Sequence, residues 1–261
     1  MKKLFLSVAA LFAVCIVSAQ EGVVASYNKG AEMLQSKNYP EAAKLFQKVI
    51  DEGMASEDAT ELNCVETAKK YLPTCYQGMG TRAAAQGNYD EAIANLSKAA
   101  EVAELYGNVA ALKKANTILA KVYQAQGGTA FNNKDYAAAA EIFAKGYAAD
   151  PDNTGMALNL AMSYCEMAMS SGDMSQYEKG MEIYEAVAAK THPKYAEDAA
   201  KAKEDMALYT NNMVAKMQAA NDFDGIIKMA DDLLAKNPQS ALAQNVRLQA
   251  YANKKDYAKA I

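Results

Sequence analysis

The stretch "GNYDEAIANL", Gly87 to Leu96, returns with small changes five more times: as "KNYPEAAKLF" (37–46), "NKDYAAAAEIF" (133–143), "QYEKGMEIY" (176–184), "NDFDGIIKMA" (221–230) and "KKDYAKAI" (254–261). A phrase used that often reads as scaffold rather than as active site. In "NYPEA" and "NYDEA" an Asn (38, 88) stands three residues before a Glu (41, 91), the cap-and-return signature of a helix start, and Pro40 falls in the first turn, where it does no harm. Each phrase therefore opens a helix.

After "GNYDEA" the apolar residues Tyr89, Ala92, Ile93, Leu96, Ala99 and Ala100 recur at spacings of three and four, which makes one stripe along a helix. A second segment with the same period lies upstream of each phrase. The polar connections "MLQSKNY", "AAAQGNY", "FNNKDY", "MQAANDF" and "AYANKKDY" are the turns between them. The repeated object is a helical hairpin, and the fold is all-α.

These residues carry a family resemblance. The third hairpin, with Tyr123, Gln126-Gly127, Ala130, Ala139, Phe143 and Pro151, resembles the tetratricopeptide repeat. The second is similar through Tyr76, Met79-Gly80, Ala83, Ala92 and Leu96, and the sixth through Leu248, Tyr251 and Ala260. The resemblance covers essentially all of residues 20–261 in six hairpins and is of the secreted or periplasmic bacterial type. It implies a right-handed superhelical solenoid of antiparallel helix pairs. Ala42, Ala92, Ala139 and Ala260 occupy the small-residue place where two helices cross closely, with Gly180 and Ile226 as variants.

These places stand 50, 47, 41, 46 and 34 residues apart, and only the last step has the family's usual length. The surplus is Ala-rich and Lys/Glu-rich with helical period, so several first helices are expected to be longer by three or four turns. Pro73 is expected to break or kink the first of them. The sixth hairpin stops at "DYAKAI", which predicts a chain that continues beyond Ile261, with Leu242, Val246 and Leu248 poorly covered and an open end available for self-association.

The front of the chain reads differently. Lys2 and Lys3 precede an apolar run from Leu4 to Val17, and Val17-Ser18-Ala19 is a small-residue cleavage site. Residues 1–19 read as a signal peptide cut after Ala19, which leaves a periplasmic or secreted chain. This run of 14 residues, apolar but for Ser7, is shorter than the roughly 20 a membrane span needs. Lipidation at Cys15 is disfavoured by the bulky Val14 before it. Removing the two lysines leaves 25 basic against 31 acidic side chains, a net charge of −6, which argues against nucleic acid as a partner. Cys64, Cys75 and Cys165 are too few and too widely spaced for a disulfide framework.

Chemistry-bearing patterns are sparse. His192, the only histidine, lies in "AKTHPKY" without a nucleophile and orienting carboxylate near it in sequence, and reads as a solvated loop residue. "GMGTRA" (78–83) fits a dinucleotide fingerprint formally, but it sits inside a helical segment with no strand before it. Met162, Cys165 and Met169 share a helix face and could offer soft sulfur ligands. Methionines are scattered throughout, however, and packing is the better reading. Neither a metal nor another cofactor is expected. The 16 tyrosines fall mainly at core and turn places, and there is no tryptophan.

The resemblance implies a non-enzymatic scaffold that binds a partner protein or peptide on a concave face built by the first helices. Its groove places map onto Val24, Tyr27 and Ala31 in the first hairpin, Gln77 and Thr81 in the second, and Lys121, Gln124 and Phe131 in the third. They continue as Leu158, Met162, Cys165 and Glu166, then Asn211, Ala215 and Gln218, then Asn245 and Gln249. Only Lys121 suits the cationic clamp by which some relatives hold a terminal carboxylate. The alternative is a helical-repeat glycan-binding protein that partners an outer-membrane importer.

Overall fold

The computed structural model describes residues 22–256, and among them there is no strand. The eleven α-helices are α1 (Val23–Gln35), α2 (Tyr39–Gly53), α3 (Ala59–Ala85), α4 (Tyr89–Leu105), α5 (Val109–Asn132) and α6 (Tyr136–Ala149), then α7 (Thr154–Ser171), α8 (Met174–Ala188), α9 (Ala196–Ala219), α10 (Phe223–Lys236) and α11 (Ala241–Asn253). A 3-10 turn, Pro193–Tyr195, leads into α9. Consecutive helices pack as neighbours: α1 on α2, α6 on α7, α7 on α8, α8 on α9, and α9 and α11 on α10. The last helix expected from the sequence, with Ala260 at its small-residue place, falls outside the described residues, as do the expected signal peptide of residues 1–19 and Ile261.

The reason the phrase repeats lies in the turn at its start. Lys37 adopts a left-handed conformation (φ 61°), its N–H bonding to Leu34 O at 3.0 Å, and the Asn38 N–H bonds to Met33 O at 2.8 Å. That pair of bonds is the Schellman ending of one helix, and Asn38, its last member, is already the N-cap of the next. The pattern recurs at Gly87-Asn88, Lys134-Asp135, Asn221-Asp222 and Lys255-Asp256. Two residues thus stop a helix, reverse the chain and start the next.

Asp135, Asp173 and Asp222 accept a backbone N–H in the first turn of α6, α8 and α10, as an N-cap should. Asn38 does not make the side-chain cap its sequence announces. Its amide instead reaches the Met33 sulfur at 3.7 Å. The same Schellman turn also occurs at Gly107-Asn108, joining α4 to α5.

The expected lengthening of the first helices is present: α3 has 27 residues and α5 and α9 have 24, against 13 in α1 and α11. Of the break or kink expected at Pro73, the break does not occur, for α3 runs through it. Proline removes one backbone hydrogen bond, at a cost of about 3 kcal/mol in a free helix. Here Leu72 and Cys75 on either side are fully buried, and packing holds the helix through the defect.

The chain forms two compact units, one comprising the described residues up to 79 with 98–112, the other 80–97 with 113–256. The first has a core of Phe46, Val49, Ile50, Val65, Leu72 and Cys75. In the second, Phe143 and Met156 anchor one cluster, Leu96 and Val122 another, and Tyr177, Met181, Tyr184, Met213 and Ile226 the largest. In α11, Val246 is buried at 6% exposure, contrary to the expectation of poor cover, while Leu242 and Leu248 are half-buried.

Helices cross closely where a glycine permits it. A Cβ on Gly127 would lie 2.6 Å from the Phe143 ring, and one on Gly80 would lie 2.6 Å from Leu96 Cγ and 3.0 Å from Ala92 O. Both glycines stand seven residues before the left-handed residue of their turn, as does Gly30. In the fourth hairpin that place belongs to Cys165, and the missing room is made on the other helix. A Cβ on Gly180 would meet Cys165 Sγ at 2.5 Å and Ala161 O at 2.9 Å.

This corrects the register of the fourth hairpin. Its N-cap is Asp173, so the small-residue place four residues on is taken by Tyr177, not Gly180. Tyr177 fits because its hydroxyl pairs with the Thr210 hydroxyl at 2.8 Å inside the core.

Candidate functional site

Counting back from the left-handed residue of each turn places the exposed face of every first helix on a common scale. Ten residues before it stand Tyr27, Gln77, Gln124, Met162, Asn211 and Asn245. These positions were all expected from the sequence, yet their surroundings differ.

In the first compact unit Tyr27 is half-buried, with its ring 6.1 Å from that of Phe46, which in turn lies 5.8 Å from Tyr71. Burial first, and then the neighbouring Tyr71 and Cys64, push the Tyr27 hydroxyl above its usual range, while a hydrogen bond with Thr67 opposes this. Tyr71 remains 40% exposed and was not singled out from sequence. Val24 and Ala31 are half-buried beside Tyr27 on α1.

Gln77 is a correction. It is only 4% exposed, and its amide donates to Ala111 O at 2.8 Å. The first turn of the lengthened α5 lies over it, so it serves packing between helices and is closed to a ligand.

In the second compact unit Thr81, Lys121 and Gln124 are exposed, and Phe131 is half-buried with its ring edge-on to Tyr136 at 5.1 Å. On α7, Leu158, Met162 and Glu166 are half-buried. Cys165 is a second correction: it is wholly buried against Gly180, and burial drives its thiol up to about 12. It stands seven residues before the left-handed Gly172, the crossing place that Gly30, Gly80 and Gly127 hold in their hairpins, and not on the open face. Met162 and Met169 pack beside the same core as Cys165. No group of three or more His, Cys, Asp or Glu able to hold a metal occurs among the described residues.

Helix α7 packs against α9, and the two first helices are tied by Tyr209, whose hydroxyl donates to Glu166 Oε1 at 2.8 Å. Asn211 and Ala215 are exposed on α9, Gln218 is half-buried, and Asn245 and Gln249 are exposed on α11. Sequence reasoning missed Leu208, which is 52% exposed and lies one turn before Asn211. It stands thirteen residues before the turn's left-handed Asn221, the place of Val24 in the first hairpin, so the turn register would have found it. The α7–α9 face thus offers apolar side chains (Leu158, Met162, Leu208), an exposed amide (Asn211) and a carboxylate already oriented by a tyrosine.

His192 is exposed at the start of the 3-10 turn, where its Nδ1 accepts the Lys194 N–H at 3.2 Å. Tyr195 beside it donates to Asp152 at 3.0 Å and lies under the ammonium groups of Lys190 and Lys194, at 4.7 and 4.4 Å from the ring centre. This cluster fastens the α8–α9 connection to the α6–α7 connection. No helix among the described residues is long and apolar enough to cross a membrane.

No family model matches this chain, and no curated protein matches it. Among solved structures it is similar to the TPR2AB-domain:pHSP90 complex of yeast Sti1, at 13% identity over 91% of this chain and 98% of that one, with a TM-score of 0.24. It is also similar to the human IFIT1 dimer with PPP-AAAA, at 16% identity over 92% of this chain and 70% of that one, with a TM-score of 0.18. Likeness at this level assigns no residue and no ligand to the present chain.

Proposed function

We propose that this protein is a non-enzymatic, tetratricopeptide-like scaffold that acts outside the cytoplasm and binds a partner polypeptide on its first helices. One observation carries the reading: Leu208 is exposed and Met162 and Leu158 are only half-buried on α7 and α9, two helices packed against each other whose other sides are buried. Apolar side chains with interspersed amides on adjoining helices suit a peptide, which needs apolar contact and a few orienting hydrogen bonds. The extracytoplasmic location rests on residues 1–19 alone, and N-terminal sequencing of the exported protein tests it by the cut after Ala19.

Binding is tested by a photo-crosslinking residue placed at Asn211 on the first-helix face or at Lys145 on α6. One polypeptide captured from Asn211, absent from Lys145, and lost on Leu208→Asp is the expected result. Identical capture from both positions sinks the reading. The glycan alternative has a single supporting observation, the 40% exposure of Tyr71 beside Phe46. Strong oligosaccharide binding on a glycan array, removed by Tyr71→Ala, would put it first.

A further inference from the structure

The second helices carry a feature that the scaffold reading does not use. In the second compact unit α8 and α10 each pack on α9, and between them lies a trench of about 530 Å³. Met181 and Met229 form its buried floor, and Met174, Met217 and Leu233 its half-buried walls. Four methionines in one depression make an apolar surface that can reshape around a guest, because the thioether chain is unbranched and polarizable.

The rim is acidic. Lys236 reaches from α10 to Glu182 of α8 at 3.3 Å, and Lys228 holds Asp232 at 3.1 Å, which uses both lysines of the lining. Among the described residues Glu178 has no cationic partner, and Asp222, which caps α10 through the Gly225 N–H, has none either, so the lining carries a net charge of −2. From Gly225 to Lys236 the α10 wall runs about 16 Å, the length of roughly three helical turns.

We propose that this trench receives a short cationic amphipathic helix of a partner polypeptide, its apolar face on the methionines and its Lys or Arg side chains toward Glu178 and Asp222. Charge selects the guest: an acidic helix of equal apolarity would face Glu178, Glu182, Asp222 and Asp232 together. The Lys236–Glu182 link is solvent-exposed and weakly held, so an incoming cation can replace Lys236 there. The surface is built by α8 and α10 with Met217 of α9 at its edge, away from the α7–α9 face around Leu158, Met162 and Leu208, and its test is independent of the function proposed above.

The probe is a fluorescein-labelled Leu/Lys amphipathic peptide of about 14 residues, long enough to fill the trench, titrated by anisotropy against the purified protein. The comparison peptides are a scrambled version of it and a Leu/Glu counterpart. The Leu/Lys peptide is expected to bind about tenfold tighter than either, with affinity falling as salt rises. Met174→Glu and Glu178→Lys should each weaken it about tenfold. Lys203→Glu, exposed on α9 some 21 Å along the helix from Met217, should leave it unchanged. Circular dichroism checks the fold of each variant, and because Glu178 is exposed its reversal decides the matter even if Met174→Glu unfolds. Equal binding of the three peptides, or no loss in Glu178→Lys, overturns the proposal. So does a dimer in sedimentation that Glu178→Lys abolishes, since a second copy would then fill the trench.

Discussion

Gly180 and Cys165 show how one atom decides the sign of a substitution. Alanine is ordinarily worth up to about 1 kcal/mol over glycine inside a helix. At Gly128, where an added Cβ meets nothing within 4 Å, Gly128→Ala should therefore stabilise. At Gly180 the same change drives a methyl into Cys165 Sγ at 2.5 Å, and Ala161 O lies at 2.9 Å behind it, so Gly180→Ala should destabilise by about 1 to 3 kcal/mol. Adding Cys165→Ala should recover part of that loss, and urea midpoints of the single and double variants measure the coupling. Equal midpoints for Gly128→Ala and Gly180→Ala would mean the crossing is not where the structure puts it.

Burial also gives these residues a pH signature. Cys75 and Cys165 are pushed from an ordinary 9.0 up to about 12, and burial raises the hydroxyls of Tyr177, Tyr184 and Tyr209 as well. The unfolded chain ionises these groups at lower pH than the folded one. Their contribution to stability is therefore complete below about pH 9 and is lost progressively as the pH rises toward 12. Melting temperatures should fall steadily over that window, less steeply in Cys165→Ala. A flat profile would show that the thiols are open to water.

At the scale of the element, the shared Schellman and N-cap turn is the device that makes hairpins. Lys134 holds φ 62° although a side chain disfavours that region by about 1 to 2 kcal/mol. Lys134→Gly should raise stability by a sizeable part of that amount, whereas Gly87→Val, at φ 79°, should lower it. The caps make a second contrast. Asp135 accepts the Ala138 N–H at 3.1 Å, and Asp135→Ala should cost about 1 kcal/mol. Asn38→Ala should cost clearly less, because Asn38 makes no such bond. Thermal unfolding of both variants checks this, and equal losses would contradict the difference between the two caps.

Across the whole molecule, each helix packs mainly on its neighbours in sequence, so damage should stay local. Ala139 is completely buried where α6 crosses its partner. Ala139→Leu should cost about 1 to 3 kcal/mol and speed hydrogen exchange in α5, α6 and α7. Exchange in α10 and α11 should hardly change. Uniform acceleration through the second compact unit would mean that it opens as one body.

Sequence alone determined the hairpins, their all-α character and the long first helices, because helical period, Asn or Asp caps and helix-forming composition act within a few residues of one another. It also put Tyr27, Gln77, Gln124, Met162, Asn211 and Asn245 at one common place of their helices, since each stands ten residues before the left-handed residue of a turn whose polar residues are visible in the text. Only the tertiary structure decided that α5 covers Gln77, that Pro73 leaves α3 intact, and that Cys165 lies inside a crossing while Gly180 makes room for it. These outcomes depend on the volume and hydrogen-bonding needs of residues on other helices. Local pattern carries no record of which neighbour will fill a given space.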